Sequence, residues 1–276
     1  MKRDLHSHTF YSDGSLSPQE LVMRAHMQQL DELAITDHDS VMGLAEAFVQ
    51  QRGETRALSI IPGIELSTAW HGFDIHIVGL NIRWQDAQLA ERLHIQQQAR
   101  TSRAERIGDK LAKAGMVNAY EDAVKLAGKG QVTRAHFARA LVNSSQVASF
   151  DTAFRKYLGK GKRAHVTPKW ISIAQAVTWI NDAGGIAVLA HPGRYDLSAK
   201  WLRRLLVEFK QAGGRAMEVI YPGLSPALKQ QMVAYATEYE LLASTGSDFH
   251  SPGRWCELGR HLALPDGVIP VWQVWQ

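Results

Sequence analysis

Histidine and carboxylate side chains recur along this sequence at positions from which they could bind divalent metal ions. His6 and His8 lie two residues apart in a short apolar-flanked run, and Asp13 follows in a Ser-Asp-Gly turn. Alternate residues of a strand point to the same face, so the two imidazoles would converge on one point. Alone, a His-x-His pair is equally compatible with a surface position near a terminus, and the rest of the sequence has to decide.

Six further candidate ligands lie on predicted strands or directly after them. They are His38, Glu65, His76, His191, Asp248 and His250. In parallel α/β folds the carboxyl ends of the strands gather on one face, where active sites form. Side chains far apart in the sequence can therefore meet there. No single dipeptide is a strong signal, but the nine residues together predict a centre of imidazole and carboxylate ligands for metal ions.

The elements that would position these residues alternate between strand and helix. The predicted strands are Lys2–His8, Glu32–Thr36, Leu58–Ile61, Phe73–Val78, Ile186–Ala190, Met217–Ile220 and Leu241–Ser244. Pro62-Gly63 is expected to end the third strand, and Asp39 or Ser40 to cap the helix after the second. Ser17-Pro18-Gln19-Glu20 predicts a helix start with a capping box. This order favours an α/β architecture with strands in a largely parallel sheet or barrel.

The alternation of predicted strands and helices stops between residues 85 and 163, where the sequence is helical, rich in alanine and basic. Residues 100–169 hold 15 Lys and Arg against 5 Asp and Glu, whereas the remaining residues hold 16 against 22. We predict a discontinuous barrel domain at 1–84 and 164–276, with a helical insertion at 85–163 that covers the substrate. The concentrated charge indicates a polyanionic partner, phosphate or nucleic acid; a solvated helical face is the alternative.

Three basic residues are candidates for contacting a phosphate of the substrate. Thr133 is a plausible N-cap, which would place Arg134 and His136 in the first turn of a helix, where cations are unusual as stabilisers but suit a bound anion. Arg194 follows His191-Pro192-Gly193 at a strand end. For Arg194 a salt bridge on the rim of the barrel is an equal alternative.

Composition sets broader limits on the protein. Hydrophobic residues make up 45% and charged residues 21% of 276 residues, which is ordinary globular usage. A single cysteine, Cys256, excludes an intramolecular disulfide framework and a Cys-rich zinc module. The sequence has neither a long apolar run nor an apolar signal region, so we expect a cytoplasmic protein without a membrane span.

In type and order, the nine candidate ligands resemble the signature of the PHP (polymerase and histidinol phosphatase) family. The resemblance covers Met1 to about Gly79 and Gly185 to Arg254. It implies a distorted (β/α)7 barrel with two or three divalent metals at its C-terminal mouth. It also implies a first metal held by His6, His8, Glu65 and Asp248, a second bridged by Glu65 and held by His76 and His191, and a third held by Asp13, His38 and His250.

Asp13 is the departure from the family pattern, because many members have histidine at this position. The change gives the third site a harder ligand set, and we expect Mn2+, with Zn2+ or Fe2+ as alternatives. The basic insertion after His76, with its Thr-Arg-Ala-His-Phe sequence, narrows the resemblance to the nucleoside 3′,5′-bisphosphate phosphatases. That branch includes 5′→3′ exoribonucleases.

We therefore expect a phosphoesterase that removes the 3′-phosphate of nucleoside 3′,5′-bisphosphates and degrades short 5′-phosphorylated RNA. The attacking group would be a metal-activated hydroxide held by the cluster, with Glu65 as bridging ligand, and no protein nucleophile is evident.

Two alternatives are a small-metabolite phosphatase of the histidinol-phosphatase type and a nucleic-acid-binding protein with a structural metal site. The charge of the insertion argues against the first. The second would have a closed set of four ligands rather than nine. The expected partner is a nucleotide or short RNA, with no obligate protein partner.

Overall fold

Seven strands form a nearly closed barrel in the computed structural model, which describes residues 1–253 and 256–275. Arg254, where the predicted resemblance ends, and Gln276, the end of the predicted barrel domain, lie outside the described residues. The strands, each next to the following one in the sheet, are β1 (Arg3–Asp4), β2 (Glu32–Ile35), β3 (Ser59–Trp70), β4 (Phe73–Leu80), β5 (Ile186–Leu189), β6 (Ala216–Ile220) and β7 (Leu242–Thr245).

The sheet is parallel except around β4, which pairs antiparallel with both β3 and β5. Hydrogen bonds between the segments that follow β1 and β7 bring the two edges together, with Leu5 N–H donating to the Thr245 carbonyl at 3.1 Å and His8 N–H to the Phe249 carbonyl at 2.9 Å. The predicted α/β barrel is confirmed, and the reversed β4 is its main distortion.

Two predicted strands differ from the observed ones by more than two residues at one end. The first is regular only at Arg3–Asp4, because the following residues bond irregularly to two neighbours, including Ser7 N–H to the Thr36 hydroxyl at 3.2 Å. The third does not end at Pro62-Gly63 but continues to Trp70. At this point β3 changes partner from β2 to β4, and a Cβ on Gly63 would lie 2.7 Å from a methyl carbon of Thr36, so the crossing requires glycine.

Helices cover the outside of the barrel and form the insertion. They are α1 (Pro18–Met27), α2 (Gly43–Arg52), α3 (Ala87–Lys113), α4 (Ala119–Ala127), α5 (Arg134–Asn143), α6 (Phe150–Ala153), α7 (Ile173–Asp182), α8 (Ala199–Gln211) and α9 (Pro226–Glu238), with a π-helical turn at Phe154–Leu158. The capping box of Ser17 and Glu20 is present as predicted. The prediction of Asp39 or Ser40 as the cap of α2 is wrong, since the N-cap is Met42 and caps through no side chain.

The buried apolar residues separate into several clusters. The largest lies between the sheet and α7, α8 and α9, and another is formed by α3 to α6 around Phe137, Leu111 and Leu141. The helices of the insertion thus have an apolar core of their own, beside the mouth of the barrel. No helix in residues 1–253 or 256–275 combines the length and the apolarity that crossing a membrane requires.

Candidate metal centre

The nine predicted ligands meet at one end of the barrel. His6 and His8 lie in the extended segment after β1, between the ends of β2 and β7. A Cβ on Gly246 would lie 2.2 Å from the Cβ of His6, so the chain leaving β7 can pass the first ligand only without a side chain. The strand ends thus supply ligands from separate parts of the sequence, as parallel topology predicts.

Glu65, from the middle of β3, is the centre of the group. Its side chain is fully buried. One carboxylate oxygen, Oε2, lies 2.9 Å from His38 Nδ1 and 3.4 Å from Nε2 of both His6 and His8. The other oxygen lies 3.0 Å from His76 Nδ1 and 3.2 Å from His191 Nε2. A carboxylate facing five imidazoles has the geometry of a bridging ligand.

Three sets of potential ligand atoms lie within 4.8 Å of one another in the described chain. They are His6, His8, Glu65 and Asp248; His38, Glu65 and His76; and His8, Asp13, His38 and His250. The first set is the one implied for the first metal. The others differ from the implied sets, since His38 stands with Glu65 and His76, and His8 joins the third. His191 belongs to none of the three and reaches the centre through Glu65.

The residues fit divalent cations by an independent criterion, the state of their buried polar atoms. Six such atoms have no hydrogen-bond partner: His6 Nε2, Asp13 Oδ1, His38 Nδ1, Glu65 Oε2, His76 Nδ1 and His191 Nδ1. Buried polar groups of folded proteins are otherwise nearly always paired. Five of the six belong to the three sets of potential ligand atoms, so bound cations would satisfy atoms that the protein leaves unpaired.

The carboxylates and imidazoles of the centre shift one another's pKa values. Burial alone would raise the pKa of Glu65 and Asp248, but the surrounding imidazoles hold both pKa values well below their usual range. Burial, with the neighbouring rings of His250 and His38, lowers the pKa of His8 to about 3, so its imidazole is neutral. These are states in which carboxylates and imidazoles bind metals. Burial would lower the pKa of His6, His38 and His250 as well, but the neighbouring carboxylates outweigh it and raise these pKa values, that of His250 to about 10, so bound cations would displace protons from these rings.

Sequence reasoning missed Glu218, a buried carboxylate of β6 behind the candidate ligands. Its Oε1 lies 2.7 Å from His6 Nδ1, and its Oε2 accepts a hydrogen bond from the backbone N–H of His191 at 2.6 Å. A carboxylate on Nδ1 fixes the imidazole tautomer and turns Nε2 toward the metal. The one signal in the sequence that could have identified Glu218 is that it is the single acidic residue of the strand sequence Ala-Met-Glu-Val-Ile.

We predict that Glu218→Gln lowers metal affinity about 10- to 100-fold, because the amide holds the His6 ring less firmly and does not polarise it. Metal titration followed by calorimetry, together with activity at limiting metal, measures the effect. Asp196→Asn is the matched control, since it makes the same chemical change at a loop position with no described partner at the centre. An unchanged affinity would mean that Glu218 only fills the core.

Asp37 acts on the ligands indirectly. Its carboxylate accepts hydrogen bonds from the backbone N–H and the hydroxyl of Thr9, at 2.7 and 2.6 Å, and from the Ser12 hydroxyl at 2.6 Å. The Ser12 hydroxyl in turn lies 3.3 Å from His8 Nδ1. Asp37 therefore fixes the loop that carries both His8 and Asp13, rather than binding an imidazole itself.

A cleft opens beside the centre, between the barrel and the insertion. Its walls include Asp13, His38 and His76 of the centre, and Arg103 and Arg134 of the insertion. The Arg103 guanidinium contacts the Trp170 ring at 5.3 Å, and its Nη2 is buried without a hydrogen-bond partner. Burial, with the charge of Arg134 added, lowers the pKa of Arg103 to about 10. Arg100 lines the same pocket but pairs with Asp39, and Asp74 lies 4.0 Å from Arg134.

Arg103 was not predicted from the sequence, although its helix shows a periodic signal. Gln96, Arg100 and Arg103 lie on one face of α3, spaced as i, i+4 and i+7. Arg100 contacts Asp39 Oδ2 at 2.5 Å, and Gln96 donates to the other oxygen of the same carboxylate at 3.1 Å. Asp39 therefore anchors the insertion to the barrel, and this anchor directs Arg103 toward the cleft.

The other predicted substrate residues, His136 and Arg194, have partners within the protein. The Nδ1 of His136 accepts a hydrogen bond from Thr133 N–H at 3.1 Å and completes a capping box. His136 therefore stabilises the start of the helix, a role that was not predicted from the sequence. Burial lowers its pKa to about 4. Arg194 forms an ion pair with Asp248, the alternative considered for it, and stacks on Tyr221 at 5.4 Å.

Comparison with known proteins gives consistent matches along nearly the whole chain. Residues 4–212 match the family model described as PHP domain. A relative from Escherichia coli strain K12, named 5′-3′ exoribonuclease Rnm, is 49% identical over 99% of this chain and 93% of its own length. A Chromobacterium violaceum relative, named 3′,5′-nucleoside bisphosphate phosphatase, is 39% identical over 98% of this chain and 95% of its own. A solved structure, described as an amidohydrolase from Chromobacterium violaceum with bound sulfate and no metal, is 39% identical and superposes with a TM-score of 0.92 over 99% of this chain and 95% of that one.

Proposed function

This chain belongs to the PHP domain family, and from that membership we propose that it is a metal-dependent hydrolase of phosphate esters in nucleotides. Its substrates are nucleoside 3′,5′-bisphosphates and short 5′-phosphorylated RNA. Relatives at 49% and 39% identity carry the names of these two activities.

The observation that carries the proposal is the arrangement of the cleft. At one end lie the candidate ligands Asp13, His38 and His76. At the other lie Arg103, whose Nη2 has no hydrogen-bond partner, and Arg134, whose one carboxylate contact is Asp74 at 4.0 Å. Such a cleft suits a molecule with two phosphates: one beside the metals and one against Arg103 and Arg134. Guanidinium groups are preferred binders of phosphate because they donate several hydrogen bonds in a fixed plane. A metabolite with a single phosphate would leave one of the two ends unfilled.

Both substrates can then be cleaved at the same bond. We place the 5′-phosphate of the first nucleotide against the arginines and its 3′-phosphate beside the ligand cluster. Water adds to phosphorus, the bond from phosphorus to O3′ breaks, and the 3′-hydroxyl leaves with a proton. From a bisphosphate this releases inorganic phosphate. From RNA it releases a 5′-mononucleotide and leaves a new 5′-phosphate, so the shortened RNA is again a substrate.

The nine predicted ligands are the residues that we propose to hold the metals, with Glu65 as the bridge. Divalent cations bound there would act as Lewis acids on the phosphoryl oxygens and lower the pKa of the attacking water. Glu218 and Asp37 keep the ligand side chains oriented. Arg194, paired with Asp248 and the Pro222 carbonyl, keeps further N–H donors that could contact a phosphate of the substrate, and His136 has only Nε2 left for a ligand.

A side-by-side assay tests the function. With Mn2+ present we expect hydrolysis of adenosine 3′,5′-bisphosphate and of a 5′-phosphorylated RNA oligomer, with AMP and histidinol phosphate slower by at least about 10²-fold, because each offers one phosphate to a site with two ends. Exhaustive chelation should abolish both activities, and Mn2+ should restore them. Preferred hydrolysis of histidinol phosphate, or activity that survives chelation, would contradict the proposal.

The remaining features are proposed on the sequence and the family. We propose Mn2+ as the metal, three cations rather than two, a cytoplasmic location and no obligate protein partner. The ligand set with Asp13 supports the choice of Mn2+, because a carboxylate in place of an imidazole favours a harder ion. We also propose the division of the chain at residues 85 and 163. The separate apolar core of the insertion runs from Ala104 to Val166, whereas Leu89 and Leu93 pack in the core beside the sheet.

A further inference from the structure

Five exposed basic residues lie in the sequence between Phe154 and Trp170, two residues that line the cleft: Arg155, Lys156, Lys160, Lys162 and Arg163, called here the basic rim. The first two belong to the π-helical turn, and the others lie in the turn after it. No aspartate or glutamate occurs anywhere from Thr152 to Asn181. Asp151, four residues before Arg155, is the nearest acidic residue in the sequence, so five cations stand against one carboxylate.

The fold does not bring an acidic partner to four of these side chains either. The side chains of Arg155, Lys156, Lys162 and Arg163 make no hydrogen bond or ion pair within residues 1–253 and 256–275. On α8, Arg203, Arg204 and Lys210 each pair with a glutamate. Single exposed cations without a partner, such as Arg52 and Lys200, occur elsewhere on the described surface, but the rim brings four of them together within nine residues.

The rim is joined to the cleft on both sides. Phe154 directly precedes it and Trp170 follows it by seven residues, and both side chains line the cleft. Lys160 Nζ donates to the Gly72 carbonyl at 2.8 Å and lies 5.1 Å from the Phe73 ring. This contact ties the rim to the hairpin of β3 and β4, whose Asp74 and His76 also line the cleft. A polymer leaving the cleft therefore meets the rim.

We propose that the basic rim binds the phosphate backbone of single-stranded RNA beyond the nucleotide being cleaved. Unpaired cations beside an active-site cleft, with aromatic side chains at its edge, form the kind of surface that tracks a single strand without reading its sequence. Binding would release counterions from the RNA and favour longer substrates. The inference rests on the proposed action on RNA, and it adds a site that a bisphosphate nucleotide is too short to reach.

The test is a fourfold variant, Arg155→Gln, Lys156→Gln, Lys162→Gln and Arg163→Gln, which leaves Lys160 and its bond to Gly72 intact. We expect kcat/KM for a 5′-phosphorylated RNA 10-mer to fall roughly 10- to 100-fold at about 0.1 M salt, since each lost phosphate contact on a single strand removes about 0.7 from the slope of log affinity against log salt. For adenosine 3′,5′-bisphosphate we expect a change of less than about twofold. The salt dependence of cleavage of the 10-mer should flatten.

Two control variants make the result decisive. Arg155→Lys with Arg163→Lys keeps the charge and should keep activity on the 10-mer. Arg52→Gln with Lys200→Gln removes two exposed cations of the barrel and should leave kcat/KM for both substrates unchanged. Unaltered cleavage of the 10-mer by the fourfold variant, or an equal loss on both substrates, would overturn the inference. If the native protein cleaves the bisphosphate but no RNA, the rim has another role; if it cleaves neither, the proposed function itself fails.

Discussion

Replacing Glu65 with glutamine should abolish hydrolysis, with a loss on the order of 10³-fold or more in kcat for any substrate. The side chain is fully buried and its two oxygens lie within 3.4 Å of five imidazoles. An amide keeps the shape but removes the negative charge, and its nitrogen is a poor ligand. Metal content by mass spectrometry should fall together with activity, because a single carboxylate joins the candidate metal positions.

The control for this variant is Glu91→Gln, which makes the same chemical change at an exposed position on α3. It should leave both metal content and kcat unaltered. Circular dichroism should show that Glu65→Gln remains folded, since the substitution conserves volume. Full metal loading with native activity in Glu65→Gln would rule out the bridging role. Full loading with lost activity would restrict the role of Glu65 to orientation of the surrounding imidazoles.

Replacing Arg103 with alanine should lower kcat/KM for adenosine 3′,5′-bisphosphate by about 10²-fold or more, the usual effect of truncating one partner of a buried charged pair. The reason is the buried and unpartnered Nη2 beside Arg134 in the cleft. For 3′-AMP, which lacks the 5′-phosphate, the loss should stay within about threefold. Arg134→Ala should give the same pattern, and the double variant should lose less than the product of the single effects, because both arginines bind one phosphate.

Arg106→Ala is the matched control for this pair, since Arg106 is exposed and lies one turn further along α3. It should behave as the native protein on both substrates. Steady-state kinetics gives kcat/KM for both nucleotides. A larger loss for adenosine 3′,5′-bisphosphate than for 3′-AMP indicates contact with the 5′-phosphate. Equal losses on adenosine 3′,5′-bisphosphate and 3′-AMP in Arg103→Ala would show that the residue supports the fold of the cleft, through its contact with Trp170, and does not grip the second phosphate.

Predictions from the sequence succeeded where they rested on local patterns. Alternating strands and helices predicted the α/β barrel, and the Ser17 and Thr133 caps lie where their sequences placed them. They failed where one residue had two interpretations. Pro62-Gly63 has the composition of a break, yet β3 passes through it because the strand exchanges one neighbour for another at that point. Asp39 follows a strand as a cap would, yet its carboxylate anchors the insertion through Arg100.

The sequence by itself determined which residues could bind metals, because ligand chemistry is a property of the side chain and the end of a strand is a local feature. Residue types and spacing could not determine which of the nine stands at the centre, and only the family resemblance implied that Glu65 is the bridge. Glu65 has that place because β3 lies between β2 and β4, so His38 and His76 reach it from either side. Glu218 and Arg103 became visible only in the tertiary structure, since their roles depend on contacts with residues remote in the sequence. Whether a buried charge supports a site or only fills space is decided by its neighbours, and those neighbours are set by the fold.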